Sequence, residues 1–173
     1  MERYKKIEAE APPGSFSQYD ISVILPELEK LSEQDVYLEV GVQYGRSLYI
    51  ASKYSKAKTF GVDIEPTLCT HWLDGLDYSY DWRGSDELAK EWGRPVSVLF
   101  IDGDHTYKGV KADWRNFSKF VKAGGVIFFH DCDETSPGVV QLFKEIKDDP
   151  NFTDFKKYKK EGLNTSLASC RRI

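Results

Sequence analysis

Four apolar residues, Val98-Leu99-Phe100-Ile101, run without interruption into Asp102-Gly103-Asp104-His105. A β-strand turns successive side chains to opposite faces, so an unbroken apolar run has to be buried on both sides. A parallel sheet covered by helices provides that burial. The pattern recurs as Val126-Ile127-Phe128-Phe129 followed by His130-Asp131. Open parallel sheets take their ligands at the carboxyl ends of the strands. Two neighbouring strands of this kind would bring three carboxylates and two imidazoles to one sheet edge.

The rest of the chain alternates strand and helix around these two runs. Residues 1–20 are polar, are broken by Pro12-Pro13-Gly14, and read as an arm or lid. Residues 21–173 read as one cofactor-binding and catalytic domain. Ile21, Ile24, Leu28 and Leu31 recur at helical spacing, with Ser22 placed to cap and Pro26 tolerable only near the helix start. Strands are expected at 36–42 and 59–64, the second stopped by Pro66, with a helix from Ser47 to Ser55 between them. Trp72, Tyr78, Tyr80 and Trp82 crowd the next segment without a period, which suits core or subunit contact better than a pocket wall. Ser85-Asp86-Glu87 starts a short helix with acids suited to its dipole. Val110, Trp114, Phe117 and Val121 mark a longer one, ended by Gly124-Gly125. Val139, Leu142, Phe143 and Ile146 form a last helical stripe. Strands near 152–158 and 164–171, separated by Glu161-Gly162, close the chain as an antiparallel hairpin. The expected class is α/β: a single doubly wound, Rossmann-like domain with a mostly parallel seven-stranded sheet and a C-terminal antiparallel hairpin.

Composition narrows the partners. A length of 173 residues suits one domain with a substantial core, and a formal net charge of -4 argues against nucleic acid or an anionic membrane as the default partner. Lys156-Lys157-Tyr158-Lys159-Lys160 reads as a solvated or edge-protecting run. No apolar stretch approaches the ~20 residues of a membrane span. Cys69, Cys132 and Cys170 are odd in number and lack metal-pair spacing, so reduced thiols in a cytoplasmic protein are expected.

Glu39-Val-Gly41-x-x-x-Gly45-Arg-Ser47 lies between the first strand and its helix, where glycine lets the backbone turn tightly and approach a ligand. Asp63 ends the next strand, where an acid can accept from ribose hydroxyls. Trp82-Arg83-Gly84-Ser85 could border an adenine, although helix capping alone would explain the serine. Asp113 falls within the long helix and reads as a solvated face residue; Asp133 and Glu134 read as loop acids.

Taken in order, these segments resemble class I S-adenosylmethionine-dependent methyltransferases. The nearest subgroup is the small-molecule O-methyltransferases related to the cephalosporin-hydroxylase and macrocin-methyltransferase types. The resemblance covers about residues 36–146. It implies that the loop with Glu39, Gly41, Gly45 and Ser47 wraps the methionine part of the cofactor, that Asp63 and Ile64 hold the ribose, and that Gly84 and Ser85 border the adenine. Asp102 is implied at the cofactor as well. Metal-dependent members bind a divalent cation such as Mg2+ through positions that here are Asp102, His130 and Asp131. Members of the catechol type carry Asp-Asn where this chain has His130-Asp131, and a lysine base where it has His105.

Methyl transfer to oxygen needs an acceptor placed in line, deprotonated and shielded from water. A hard cation on Asp102 and Asp131 would lower the acceptor pKa, with Asp104 or His105 taking the proton. Without metal, His105 or His130 could serve as base. The expected partner is a small-molecule acceptor whose pocket is built from the arm, the 66–82 segment or a second copy of the chain. Two other readings stay open: a cofactor-binding module without catalysis, and an oxygenase with His105, His130 and a carboxylate on iron.

Overall fold

The computed structural model describes residues 1–65, 70–160, 162 and 166–173. Seven strands form one sheet: β1 (Val36–Val40), β2 (Lys58–Val62), β3 (Ser79–Asp81), β4 (Val96–Ile101), β5 (Val121–His130), β6 (Phe152–Lys159) and β7 (Ser166–Arg172). Their order is β3-β2-β1-β4-β5-β7-β6. The first five run parallel, β7 pairs antiparallel with β5, and β6 antiparallel with β7. Among the described residues six α-helices cover the two faces: α1 (Glu2–Glu10), α2 (Gln18–Leu28), α3 (Arg46–Tyr54), α4 (Ser85–Glu91), α5 (Tyr107–Phe117) and α6 (Pro137–Glu145). The doubly wound α/β fold expected from the alternation is what forms.

The central strands carry the burial that their composition demands. Every residue of β1 and of β4 is buried. One apolar layer joins Leu38, Leu99, Ile127 and Phe129 to Trp114 and Phe143. The other joins Tyr37, Phe100 and Phe128 to Ile21, Leu25 and Leu48. Strand order reverses between β1 and β4, so the loops leaving their carboxyl ends part and open a crevice there.

Several local expectations are corrected. Helix α2 starts at Gln18, not at Ser22, because Ser17 and Asp20 form a reciprocal capping box. Pro26 consequently falls in its last turn rather than near its start. The boundary drawn at residue 20 lies inside this helix, and the segment before it is packed: Ile7, Ala11 and Phe16 belong to the core. Helix α5 ends at Phe117, and Val121 already belongs to β5. Gly124 and Gly125 lie inside that strand instead of ending the helix. Val96 pairs with Val121 but Val98 with Val126, so the extra residues form a bulge, and Gly124 enters it with φ +75°. A strand also emerges from the aromatic segment, where Tyr78 and Tyr80 pack on the core while Trp82 is exposed.

Pro66, Cys69 and Glu161 lie outside the described residues, as does the start of the last expected strand. Cys132 and Cys170 are free thiols, both buried. Among the described residues no helix is long and apolar enough to cross a membrane.

Candidate active site

The crevice at the strand-order reversal is a cleft of about 740 Å3. Its walls come from the ends of β1, β2, β4 and β5, the start of α4, one face of α5 and residues 13–16 of the arm.

Gly41 ends β1 with φ +84°, and a Cβ there would drive into the Asp102 carbonyl and the Gly103 Cα. Only glycine lets the two loops pass this closely. Beyond it, Val42 and Gln43 each donate a backbone N–H to Asp63 Oδ2 at 2.8 Å, with Gln43 itself at φ +48°. Asp63 Oδ1 accepts from the Glu65 N–H at 3.0 Å. The carboxylate thus holds the β1–α3 loop and keeps an acceptor lone pair on Oδ1. That fits a ribose hydroxyl donating to it.

Glu39 and Gly45 are not cleft walls. Gly45 is the N-cap of α3, at φ +89°. Glu39 is fully buried beneath the loop and accepts from Tyr37 Oη at 2.5 Å and Ser47 Oγ at 2.7 Å. Burial lifts its pKa to about 8, against the two hydroxyls that favour the charge. Ser47, Ile64, Gly84 and Ser85 do line the cleft.

Ser85 does not cap its helix; its hydroxyl donates to Asp113 Oδ1 at 2.5 Å. Asp113 is therefore not on a solvated face. It is 6% exposed on the inward side of α5 and wedged against Gly103. Burial raises its pKa to about 6, with the hydroxyl opposing. Residue 113 lies three positions after Val110 and four before Phe117, on the buried stripe of α5, and that spacing was the available signal.

At the ends of β4 and β5 the charged groups separate into two sets. Asp102, His105 and Asp131 face the cleft. His105 Nε2 lies 3.2 Å from Asp102 Oδ1 and 3.9 Å from Asp131 Oδ2. His130 lies behind them, fully buried, with Nδ1 at 3.2 Å from Asp102 Oδ1 and 3.4 Å from Asp131 Oδ2. The rings of Phe16 and Phe100 pack against it at centroid distances of 5.7 and 6.0 Å.

Hydrogen bonding to Asp102 raises the His105 pKa. For His130, burial opposes the charge but Asp102 and Asp131 outweigh it and raise its pKa well above the ordinary value. Burial likewise pushes Asp102 up, and the two imidazoles bring it down. Asp104 also lines the cleft, but both its oxygens accept from Thr106, through the N–H and the hydroxyl, in the turn that starts α5.

Sequence reading also missed Asp20, on α2. It is 0% exposed, and its Oδ2 lies 4.0 Å from His130 Nε2. A single acid after Ser-Gln-Tyr carried only a capping signal.

A doubly wound sheet with a glycine-lined crevice at the strand reversal, an acid ending β2 and a second charged edge at β4 and β5 defines a Rossmann-like group-transfer domain. Residues 38–132, more than half of the chain, match the methyltransferase domain family, and the chain belongs to that family. An uncharacterised protein of Acanthamoeba polyphaga mimivirus is 28% identical over 162 residues, covering 81% of this chain and 72% of that protein. Two solved structures share the fold. An rRNA methylase from Streptococcus thermophilus has a TM-score of 0.74 at 13% identity, covering 88% of this chain and 96% of that one. An O-methyltransferase from Bacillus cereus, in complex with SAH, has a TM-score of 0.67 at 13% identity, covering 99% and 91%.

Proposed function

We propose that this chain transfers the methyl group of S-adenosylmethionine to an oxygen of a small-molecule acceptor. The observation that carries the reading is the accessible Asp102–His105–Asp131 cluster at the strand ends beside the Gly41–Asp63 cleft. The cofactor supplies a methyl on a sulfonium, so the protein's task is to place and deprotonate the acceptor. Gly41 and the Val42–Gln43 turn shape the floor for the cofactor, and the spare Asp63 lone pair takes its ribose. Phe16 and the arm exclude water from the same cleft.

The donor atoms of Asp102, His105 and Asp131 all lie within 4.8 Å of one another, a spacing that fits a divalent cation. Magnesium there would supply the charge that lowers the acceptor pKa. In this reading His105, not the enclosed His130, is the imidazole at the ion, and His130 orients the two acids from behind. A metal-free reading rests on the 3.2 Å His105–Asp102 contact. There Asp102 steadies His105 as it takes the acceptor proton through Nε2.

Calorimetry with S-adenosylmethionine, with and without Mg2+, tests both. The expected result is cofactor binding that Asp63→Ala weakens at least ~10-fold, the loss of a charged hydrogen-bond partner. Mg2+ binding abolished by Asp102→Asn supports the cation; cofactor binding without Mg2+ binding selects His105 as base. No cofactor binding at millimolar concentration overturns the proposal. Iron-dependent oxygen uptake would move the assignment to an oxygenase.

A further inference from the structure

A second concavity, of about 640 Å3, opens at the same sheet edge on the other side of Asp131. Its floor is apolar, from Val140, Tyr158 and Leu167, and its charged lining is Lys144, Lys157 and Lys159 with Asp133 and Glu134. Asp131 adopts φ +51°, a left-handed conformation that aspartate takes more readily than most residues, and the chain turns there between the two cavities. Asp131 lines the first cavity and Cys132, the next residue, lines the second.

The charges in this concavity are not balanced. Lys159 is taken up by Glu134, at 2.6 and 2.7 Å, and by Asp133 at 3.7 Å. Among the described residues Lys157 has no carboxylate partner: its Nζ donates to the Cys132 carbonyl at 3.3 Å and lies 5.8 Å from the Phe143 ring centroid. That main-chain contact holds the ammonium beside the residue that follows Asp131. Lys144, one helical stripe along α6 from Val140, enters no ion pair among the described residues. Three ammonium groups against two carboxylates leave the lining net positive, and Lys144 and Lys157, the two not engaged by those acids, stand over an apolar floor that suits an anion carried on a small organic body. The bulk of the chain is acidic, so this positive spot is a local feature and not a consequence of net charge.

We infer that this concavity is the binding site for an anionic group, phosphate or carboxylate, of a small-molecule ligand held by Lys144 and Lys157. Naming that ligand as the methyl acceptor rests on the methyl-transfer reading; the anion site itself does not. An acceptor anchored here would extend past Asp131 and present its oxygen to the cluster in the neighbouring cleft. The anchor then gives selectivity for acceptors bearing an acidic group a few bonds from the methylated oxygen.

The test is a titration of the intact chain, followed by backbone amide shifts, with inorganic phosphate as one probe and succinate as the other. Saturable shifts at residues 132–134, 140–144 and 157–158 support the site, and the tighter probe identifies the anion class. Lys144→Ala and Lys157→Ala should each weaken the binding roughly fivefold and together abolish it, as expected for charged hydrogen bonds that are partly solvated. Lys119→Ala, at the opposite end of the sheet, should leave it unchanged. Shifts that do not saturate, or that survive the double variant, overturn the inference. So does binding of a short single-stranded RNA without binding of either small anion. Cofactor calorimetry on the same samples separates the two questions: cofactor binding with no anion binding removes this inference alone, and anion binding with no cofactor binding removes only the acceptor assignment.

Discussion

The carboxylate of Asp20, in the first turn of α2, stands 4.0 Å from Nε2 of His130 at the end of β5, and both side chains are fully buried. His130 thus has an acid on each side, Asp20 toward the amino-terminal segment and Asp102 with Asp131 toward the cleft. The amino-terminal segment is joined to the charged edge through this contact and through Phe16, which packs on His130 and Phe100. Arg46 fastens the same segment by donating to the carbonyls of Gly14 and Glu8, each at 2.9 Å.

Phe16→Ala should destabilise the protein by about 3 kcal/mol, the usual loss for truncating a buried aromatic side chain. Urea denaturation monitored by tryptophan fluorescence measures it. An unchanged midpoint would mean that residues 13–16 are not held on the core in solution.

Gly41→Ala should destabilise by at least ~2 kcal/mol, since the new methyl meets backbone of the β4–α5 turn and the φ of +84° is itself strained for alanine. Thermal unfolding gives the stability change. Cofactor calorimetry on the folded fraction should show weakened binding, because the turns on both sides of Gly41 line the cleft.

Asp113 sets a pH dependence of stability. Its folded pKa, near 6, lies above the ~3.9 of an unfolded aspartate, so the folded state binds the proton more tightly. Stability therefore falls as pH rises from about 4 to about 6 and is flat above that. Asp113→Asn keeps an acceptor for the Ser85 hydroxyl and removes the charge. It should raise stability at pH 7.5 by roughly 2 kcal/mol and leave it unchanged near pH 4. Chemical denaturation at the two pH values decides.

Asp35 acts in the opposite sense. Burial pushes its carboxyl up, but Lys122, Ser97 and Ser32 hydrogen-bond to it and hold it well below the ordinary range. Its contribution is present above an unfolded pKa of ~3.9 and is lost as pH falls through the lower folded value. Asp35→Ala should cost about 2 kcal/mol at pH 7, because the Ser32 N–H and the Ser97 hydroxyl lose their partner. The difference from the unmutated protein should shrink in strong acid, which denaturation at stepwise lower pH would show.

The unbroken apolar runs of β4 and β5 marked strands buried on both faces from the sequence alone, and the alternation of strand and helix around them gave the doubly wound sheet. The same local logic placed Gly41, Asp63, Asp102 and Asp131 at one sheet edge, because each follows a strand directly, and His105 with them, because it lies in the short turn after β4. What the sequence could not carry is distance between segments far apart in the chain. Asp113 looked solvated because helical periodicity gives the direction of a side chain but not the neighbouring helix that covers it. Ser85 looked like a cap for the same reason, until α4 and α5 were seen to share a hydrogen bond. The roles of the two histidines were decided by tertiary structure as well: both follow apolar strands, and only the packing of Phe16 and Asp20 over β5 buries His130 and leaves His105 at the cleft. Strand periodicity acts over a few residues and is written in the chain, whereas burial and charge pairing depend on which distant segment arrives on top.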